Sequence, residues 1–458
     1  MRYRIGGCLL FVWLVFSHHA LAAERRVSDV AGLRTALQQA APGDTIVLED
    51  GVYTVNTNLN CTTNARQNPI TVRPASKAGA HIRFDALEGF KVSGAGWRFE
   101  GLRIEGICAQ HSACEHAFHL AGDADGVVIA NNTLWNYNAH IKSNGDGTPR
   151  KFPDDVLIEG NTIYNTTPRQ TSNPVTPIDV VGGRRWILRA NFIYDFAKAQ
   201  GNNISYAAFL KGNSRDGLIE RNLIQCERNH TGFIRLGLSI GGGGTSPDSI
   251  CEDGTCTPEH QNALVRNNIV VRCPADVGLY VNKGKNTRIY HNLFFQTTGI
   301  DIRFASSDAD VRYNVLSGGL RARDSATLTQ QHNHTGVTDA QWKAWFVDPL
   351  ALNFDITGLP PTAQAPTTSV PDDFCGQPRT NHSSPGATQP NLPCDTSRVH
   401  PPTSSTPPKA QPTNENPLPT ETISETTPDD PEINTPDASE TTQPEQPAPI
   451  EGSGDTTP

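Results

Sequence analysis

Across the middle of the chain one short arrangement of apolar and polar positions recurs: two or three apolar residues, one or two polar ones, an Asn, then another apolar pair. It reads VVIANNTLW at 127–135, VLIEGNTIY at 156–164, WILRANFIY at 186–194, GLIERNLI at 217–224, ALVRNNIV at 263–270, RIYHNLFF at 288–295 and VRYNVL at 311–316. The aligned Asn residues (Asn132, Asn161, Asn191, Asn222, Asn268, Asn292 and Asn314) are 29, 30, 31, 46, 24 and 22 residues apart. Self-similarity at roughly 20–50 residues marks stacked supersecondary units. Here each unit is β-branched, punctuated by Asn and Gly, and nearly free of helical spacing. The predicted fold is all-β, a single-stranded right-handed parallel β-helix, with the interval of 46 read as two coils of which one copy is degenerate.

Within a copy the alternate residues point inward and the Asn marks a bend between two short strands. Asn tolerates left-handed backbone angles and bonds its own backbone in turns, so the repeated Asn residues are structural, and stacked bends permit an amide ladder. A stack of parallel coils has open ends that need a plug. Residues 28–40 supply one at the N-terminus, a short amphipathic helix with Ser28 as N-cap and Val30, Leu33 and Leu37 on one face.

The ends of the chain differ from its middle. Arg2 and Arg4, an apolar stretch over 5–16 and Ala20-Leu21-Ala22-Ala23 read as a signal peptide over 1–23. The apolar run is too short to span a bilayer, no later segment is long enough, and export to the periplasm, cell surface or medium is expected. In that oxidising setting the local pairs are Cys108 with Cys114, Cys251 with Cys256 and Cys375 with Cys394, while Cys226 with Cys273 would bridge consecutive copies and Cys61 is left over. From Arg398 to the end the chain turns to Pro, Thr, Ser and Glu. This segment carries 11 acidic residues against Arg398 and Lys409, so 2 − 11 = −9, equal to the formal charge of the whole chain. Residues 398–458 are therefore read as a disordered tail, and residues 24–397 as one near-neutral β-helix domain, expected to be a monomer.

Two stretches resemble a known family. Pro42-Gly43-Asp44-Thr45-Ile46-Val47-Leu48, then Asp50-Gly51-Val52-Tyr53, Asn68-Pro69-Ile70-Thr71-Val72-Arg73-Pro74 and Trp97-Arg98-Phe99-Glu100-Gly101-Leu102-Arg103-Ile104, resemble the opening of polysaccharide lyases of the chondroitinase B and alginate lyase type. Asp373-Phe374-Cys375-Gly376-Gln377-Pro378-Arg379 and Pro385-Gly386-Ala387 are similar to the closing segment of secreted β-helix proteins. The resemblance implies β-elimination on a uronate-containing glycan, so the expected partner is an acidic polysaccharide, with no nucleic acid. Such a reaction needs a base for the proton alpha to the carboxylate and positive charge for the enolate-like carboxylate that develops. Leu210-Lys211-Gly212, Asn222 and Phe233-Ile234-Arg235-Leu236-Gly237 look like the family's layout of a catalytic Lys, a coil Asn and an Arg before a Gly. That resemblance implies Lys211 as base and Arg235 as its partner. The family places two carboxylates just before the Lys as calcium ligands, where this chain has Asn203-Ile204-Ser205-Tyr206-Ala207. No metal ligand and no cofactor is therefore assigned, and calcium, which the resemblance implies, stays open without those carboxylates.

The residues give their own argument for where substrate binds. Aligning the strand between the Asn copies points Leu120, Ile141, Val180, Leu210, Ile240, Val281 and Ile302 inward and their neighbours to solvent. One outer column then holds Lys142, Lys211, Asn282 and Arg303, the other His119, His140, Asp179 and Tyr280. From these, Lys142, His140, Asp179, Tyr280, Asn282 and Arg303 are the candidate substrate-binding residues, with loops near 143–154, 165–177 and 243–262 as rims.

Other motifs have plainer readings. Asp154-Asp155 has the composition of a hydrolase pair but reads as the end of a loop. The Cys108, His111, Cys114, His116 and His119 cluster has zinc-ligand types but reads as a disulfide-pinned loop. Gly241–Gly244 lacks the Lys and Ser/Thr of a phosphate loop. Two further functional classes stay open: a glycan-binding or surface protein without catalysis, and a C5-epimerase, although no Asp-Pro-His-Asp sequence is present.

Overall fold

The computed structural model describes residues 22–242, 251–358, 370–379, 384–390, 392 and 394. The predicted leader lies outside these residues except for Ala22 and Ala23, and the predicted tail lies outside them entirely. Among the described residues three parallel sheets wrap one core: a first of 12 strands from Glu24–Val27 to Thr327–Gln331, a second of 10 from Gly51–Val55 to Val315–Leu316, and a third of 10 from Leu59–Cys61 to Gly319–Arg323. Each coil contributes one strand to each sheet, which is the β-helix predicted from the repeat. Inward positions such as Ile129, Ile158, Leu188, Ile219, Val265, Ile289 and Val311 form one continuous buried column.

The corner between the first and second sheets repeats the same local geometry in each coil from Asn131 onward. Residues Asn131, Gly160, Ala190, Arg221, Asn267, His291, Tyr313 and His332, each one position before a ladder Asn, have φ between 52° and 66°. The left-handed bend is thus made by the residue before the Asn, and the Asn itself bonds along the stack. Asn161 Nδ2 donates to Asn191 Oδ1 at 3.0 Å and to Ile129 O at 2.8 Å, and Asn161 N donates to the same Oδ1. The ladder runs without a break from Asn132 to Asn333, one member beyond the predicted set. Asn222 donates directly to Asn268 at 2.9 Å, and Leu223–Gln225 pairs with Ile269–Cys273. The interval of 46 is therefore one coil with a long insertion, correcting the two-coil reading.

The N-terminal plug is the helix Val30–Gln38, which buries Leu33, Ala36 and Leu37. Its cap is Asp29, whose carboxylate accepts from Gly32 N at 2.7 Å, rather than Ser28. At the other end the helix Asp339–Trp345 and the antiparallel pair Phe346–Asp348 and Asn353–Ile356 fold back along the outside of the second sheet. Trp342, Phe346 and Phe354 cover Phe192, Leu223, Ile269, Leu293, Phe295 and Val315, so these strands are apolar on both faces. The closing segment is tied down by Arg379, which donates to Gly386 O and Asn267 Oδ1, both at 2.8 Å. All four expected disulfides are present, Cys226–Cys273 among them joining stacked coils, and Cys61 is a buried free thiol. No helix among the described residues is long and apolar enough to cross a membrane.

Candidate active site

The outer face of the third sheet brings together the charges that the sequence scatters. Its register places His119, Lys142, Asp179, Phe209, Ser239, Tyr280, Asp301 and Arg321 side by side in one column. Lys211 lies one step along the strand, next to Val181, in the column that leads to Asn282, Arg303 and Arg323. Lys142 thus belongs beside Asp179 and not in the column of Lys211. Leu120 pairs with Ser143, two residues from the expected Ile141, and a slip of two leaves the in-out alternation unchanged.

Asp179 is the centre of this arrangement. Only 5 % exposed, it accepts from Lys142 Nζ at 2.8 Å through Oδ2, while Lys211 Nζ stands 3.9 Å from Oδ1, which has no hydrogen-bond partner. Burial alone would push its carboxyl up, but Lys142 and Lys211 outweigh burial and hold it below the usual carboxylate range. Lys211 rests on Phe209, with Nζ 4.6 Å from the ring centroid. Burial lowers its ammonium pKa, Asp179 opposes this and the Lys142 charge adds to it, for a net downward shift. The backbone beside it is glycine: a Cβ on Gly242 would stand 3.2 Å from Lys211 Cδ, and one on Gly241 would overlap Asn282 O at 1.9 Å.

Arg235 does not join this group. It pairs with Ser205, six residues before Lys211 in the strand Ile204–Lys211, and its side chain is 1 % exposed. Its guanidinium donates to Cys226 O, His230 O, Gly232 O and Glu227, so it braces the preceding turn. His140 is also displaced from its expected surface position. It precedes the strand Ile141–Asn144 and is fully buried, with its imidazole in the corner beneath the second sheet. There Nε2 contacts Tyr164 O at 3.0 Å and the ring meets Tyr137, and burial lowers its pKa to about 3.

The other candidates lie on the expected sheet. Tyr280 is 5 % exposed in an apolar patch with Ile204, Leu236 and Val277. Asn282 pairs with Arg303, and its Oδ1 is buried without a partner. Arg303 covers the Phe304 ring and pairs with Asp324.

Sequence reasoning passed over Glu88 and chose His140 over His119. His119 Nδ1 lies 2.6 Å from Glu88 Oε1 and its Nε2 2.5 Å from Asn144 Oδ1, and the His119 bond holds the Glu88 carboxyl down to about 2. His119 was visible in the aligned column, whereas nothing local marks Glu88, which reaches the site from the preceding coil. Phe209 and Tyr206, with rings 4.5 Å apart, add an aromatic floor that the alternation alone did not single out.

The remaining motifs follow their plainer readings. Asp154 and Asp155 bond Arg184 N, Arg185 and Arg66 at a corner of the coils. Cys108 and Cys114 are joined to each other, and His111 accepts from Gln170 N. Gly243 and Gly244 lie outside the described residues.

The donor set does not fit calcium, which takes 6–8 oxygen ligands. Where the family carries carboxylates, Ile204 is in the apolar patch and Ser205 is buried and bonded to Ile234 O. Asp179 holds an ammonium, and Glu259 Oε2 accepts from Gly212 N at 2.8 Å.

No protein-family model matches the chain, and no curated protein matches it by sequence. Solved structures do match. A pectate lyase, Pel9A, is 14 % identical with a TM-score of 0.51, over 78 % of this chain and 90 % of that one. An alginate lyase from Paenibacillus sp. str. FPU-7 is 16 % identical with a TM-score of 0.39, over 68 % and 99 %. A family 6 polysaccharide lyase from Pseudopedobacter saltans is 10 % identical with a TM-score of 0.38, over 82 % and 98 %. The chain is a parallel β-helix protein that shares its architecture with a pectate lyase.

Proposed function

We propose that the chain is a polysaccharide lyase that cleaves an anionic, uronate-containing glycan by β-elimination. The observation that carries this reading is the Lys142, Asp179 and Lys211 group on one exposed sheet, with the Lys211 ammonium pKa lowered by burial. A lysine shifted in this direction gives up its proton more readily than an ordinary one, which is the direction a general base requires. Neutral Lys211 Nζ takes the proton from the carbon alpha to the carboxylate. The C–H electron pair becomes the new carbon–carbon double bond, the bond to the glycosidic oxygen breaks, and that oxygen takes a proton from water. Asn282 and Arg303 lie two and three coils further on, roughly 10 and 14 Å at about 4.8 Å per coil, where neighbouring sugars of a bound chain would lie. Export of the chain and an acidic polysaccharide partner belong to the same reading.

One observation favours a glycan-binding protein instead: Arg235 is committed to its own turn, so the second member of the expected catalytic pair is missing from the surface. The two readings separate when the mature domain is incubated with alginate, dermatan or chondroitin, and polygalacturonate while absorbance of the unsaturated product is followed. Lyase activity is expected with at least one polymer and is abolished in Lys211→Ala. Binding without product on the whole panel would leave the glycan-binding reading.

A further inference from the structure

We infer that the Lys142 ammonium, locked in place by Asp179, occupies the role that a divalent cation would otherwise fill, so that this site receives a uronate carboxylate without a metal. The inference rests on the polyuronate reading above and adds which group supplies the charge. Three observations carry it.

First, Asp179 is the buried carboxylate at the centre of the column, and its Oδ2 is already taken by Lys142 Nζ at 2.8 Å. A cation bound there would have to displace a covalently tethered ammonium, and like charges at such distances repel. Second, the strand before Lys211 turns Ile204 and Tyr206 into an apolar patch with Leu236, Val277 and Tyr280, which offers few of the oxygen ligands that a hard cation needs. Third, Lys142 keeps 21 % of its side chain exposed while Asp179 keeps 7 %, so the lysine is the member of the pair open to a ligand and the carboxylate is the one held under cover. An ammonium has three donors. One is directed at Asp179, which leaves others for a ligand carboxylate. Asp179 acts through Lys142 and Lys211 and is a positioning residue.

Two measurements on the mature protein test this, and one of them needs no activity. Thermal unfolding after chelator treatment is expected to give the same midpoint with and without excess calcium chloride. A ligand that binds only the native state raises the midpoint, so a calcium-dependent rise would overturn the inference. Retention on immobilised alginate and polygalacturonate is then compared for wild type, Lys142→Arg, Lys142→Ala, and the double variant Lys142→Gln with Asp179→Asn, which removes both members of that ion pair together if Lys142→Ala does not fold. Affinity is expected to fall roughly tenfold or more when the charge is lost, as for a charge-assisted hydrogen bond, and to be largely kept in Lys142→Arg. Unchanged affinity in the double variant, or absence of binding by wild type, would overturn it. Wild-type binding that depends on Lys142 but yields no product would sink the lyase reading alone.

Discussion

A single lysine shows how far a local signal reaches. Lys211 stood out in the sequence by the resemblance of its surroundings to a family layout and by its outward position in the strand alignment, and the structure puts it on the outer face with a carboxylate and a second lysine beside it. If it is the base, kcat/KM rises with pH as Lys211 loses its proton, with an inflection below the ordinary lysine value of 10.5. Asp179→Asn removes the neighbour that raises the Lys211 pKa, so the inflection should move to lower pH, a shift measurable in the pH–rate profile; an inflection that stays in place would remove Asp179 from the account. Arg235 and His140 were misread for reasons of reach and phase. A long side chain can turn back on its own loop, as Arg235 does toward Cys226 O and Gly232 O, and spacing in sequence does not encode that direction. His140 lies just before the strand Ile141–Asn144, and alternation carries no mark of where a strand begins.

At the scale of the repeating element, the amide ladder was legible because each coil states it in the same six to nine residues. Its last member, Asn333, was not, since the strand before it, Thr327–Gln331, carries only Leu328 as an apolar signal. The interval of 46 was also ambiguous, because an inserted loop and a degenerate copy lengthen a repeat in the same way. Asn222→Ala would strip a partner from Asn191 N, Asn191 Nδ2, Leu188 O and Asn268 Oδ1 at once. Each buried group left unpaired costs about 1–3 kcal/mol, so a loss of about 3–5 kcal/mol is expected in urea or guanidinium unfolding, and a loss near zero would mean the ladder is dispensable. Trp342→Ala tests the C-terminal cover: it should cost about 3–5 kcal/mol and expose Phe295 and its neighbours, detectable as increased binding of a hydrophobic dye.

On the scale of the whole molecule, the burial that builds the core also sets an acid limit. His140 and His260 are buried and neutral with pKa values of about 3, lowered by burial. The unfolded chain binds protons at these positions below about 6.5 while the native chain does not, so stability is full above that value and declines as pH falls toward 3. Each contributes a slope of up to about 1.4 kcal/mol per pH unit. Glu88, held down to about 2 by His119, adds a loss in the same direction below its ordinary value of 4.5. The thermal midpoint should therefore be nearly flat above neutrality and drop below pH 6; a flat midpoint down to pH 4 would contradict this. Fold class, the N-terminal plug and the disulfide pairs were legible at this scale, from the repeat, the amphipathic spacing and the cysteine positions. The assembled site was not, since it depends on a register between coils that the sequence leaves free by steps of two.

From Asn132 to Asn333 the corner that carries the amides keeps the same short turn, whereas the 46-residue coil takes up its additional length beyond the third sheet, where Cys251–Cys256 closes a small ring. Pitch and circumference are thus set independently. The loop that takes up this length abuts the site, with Glu252 N donating to Gly212 O and Gly212 N to Glu259, so residues added or removed there build or remove a wall beside Lys211 while the ladder holds the rise from coil to coil.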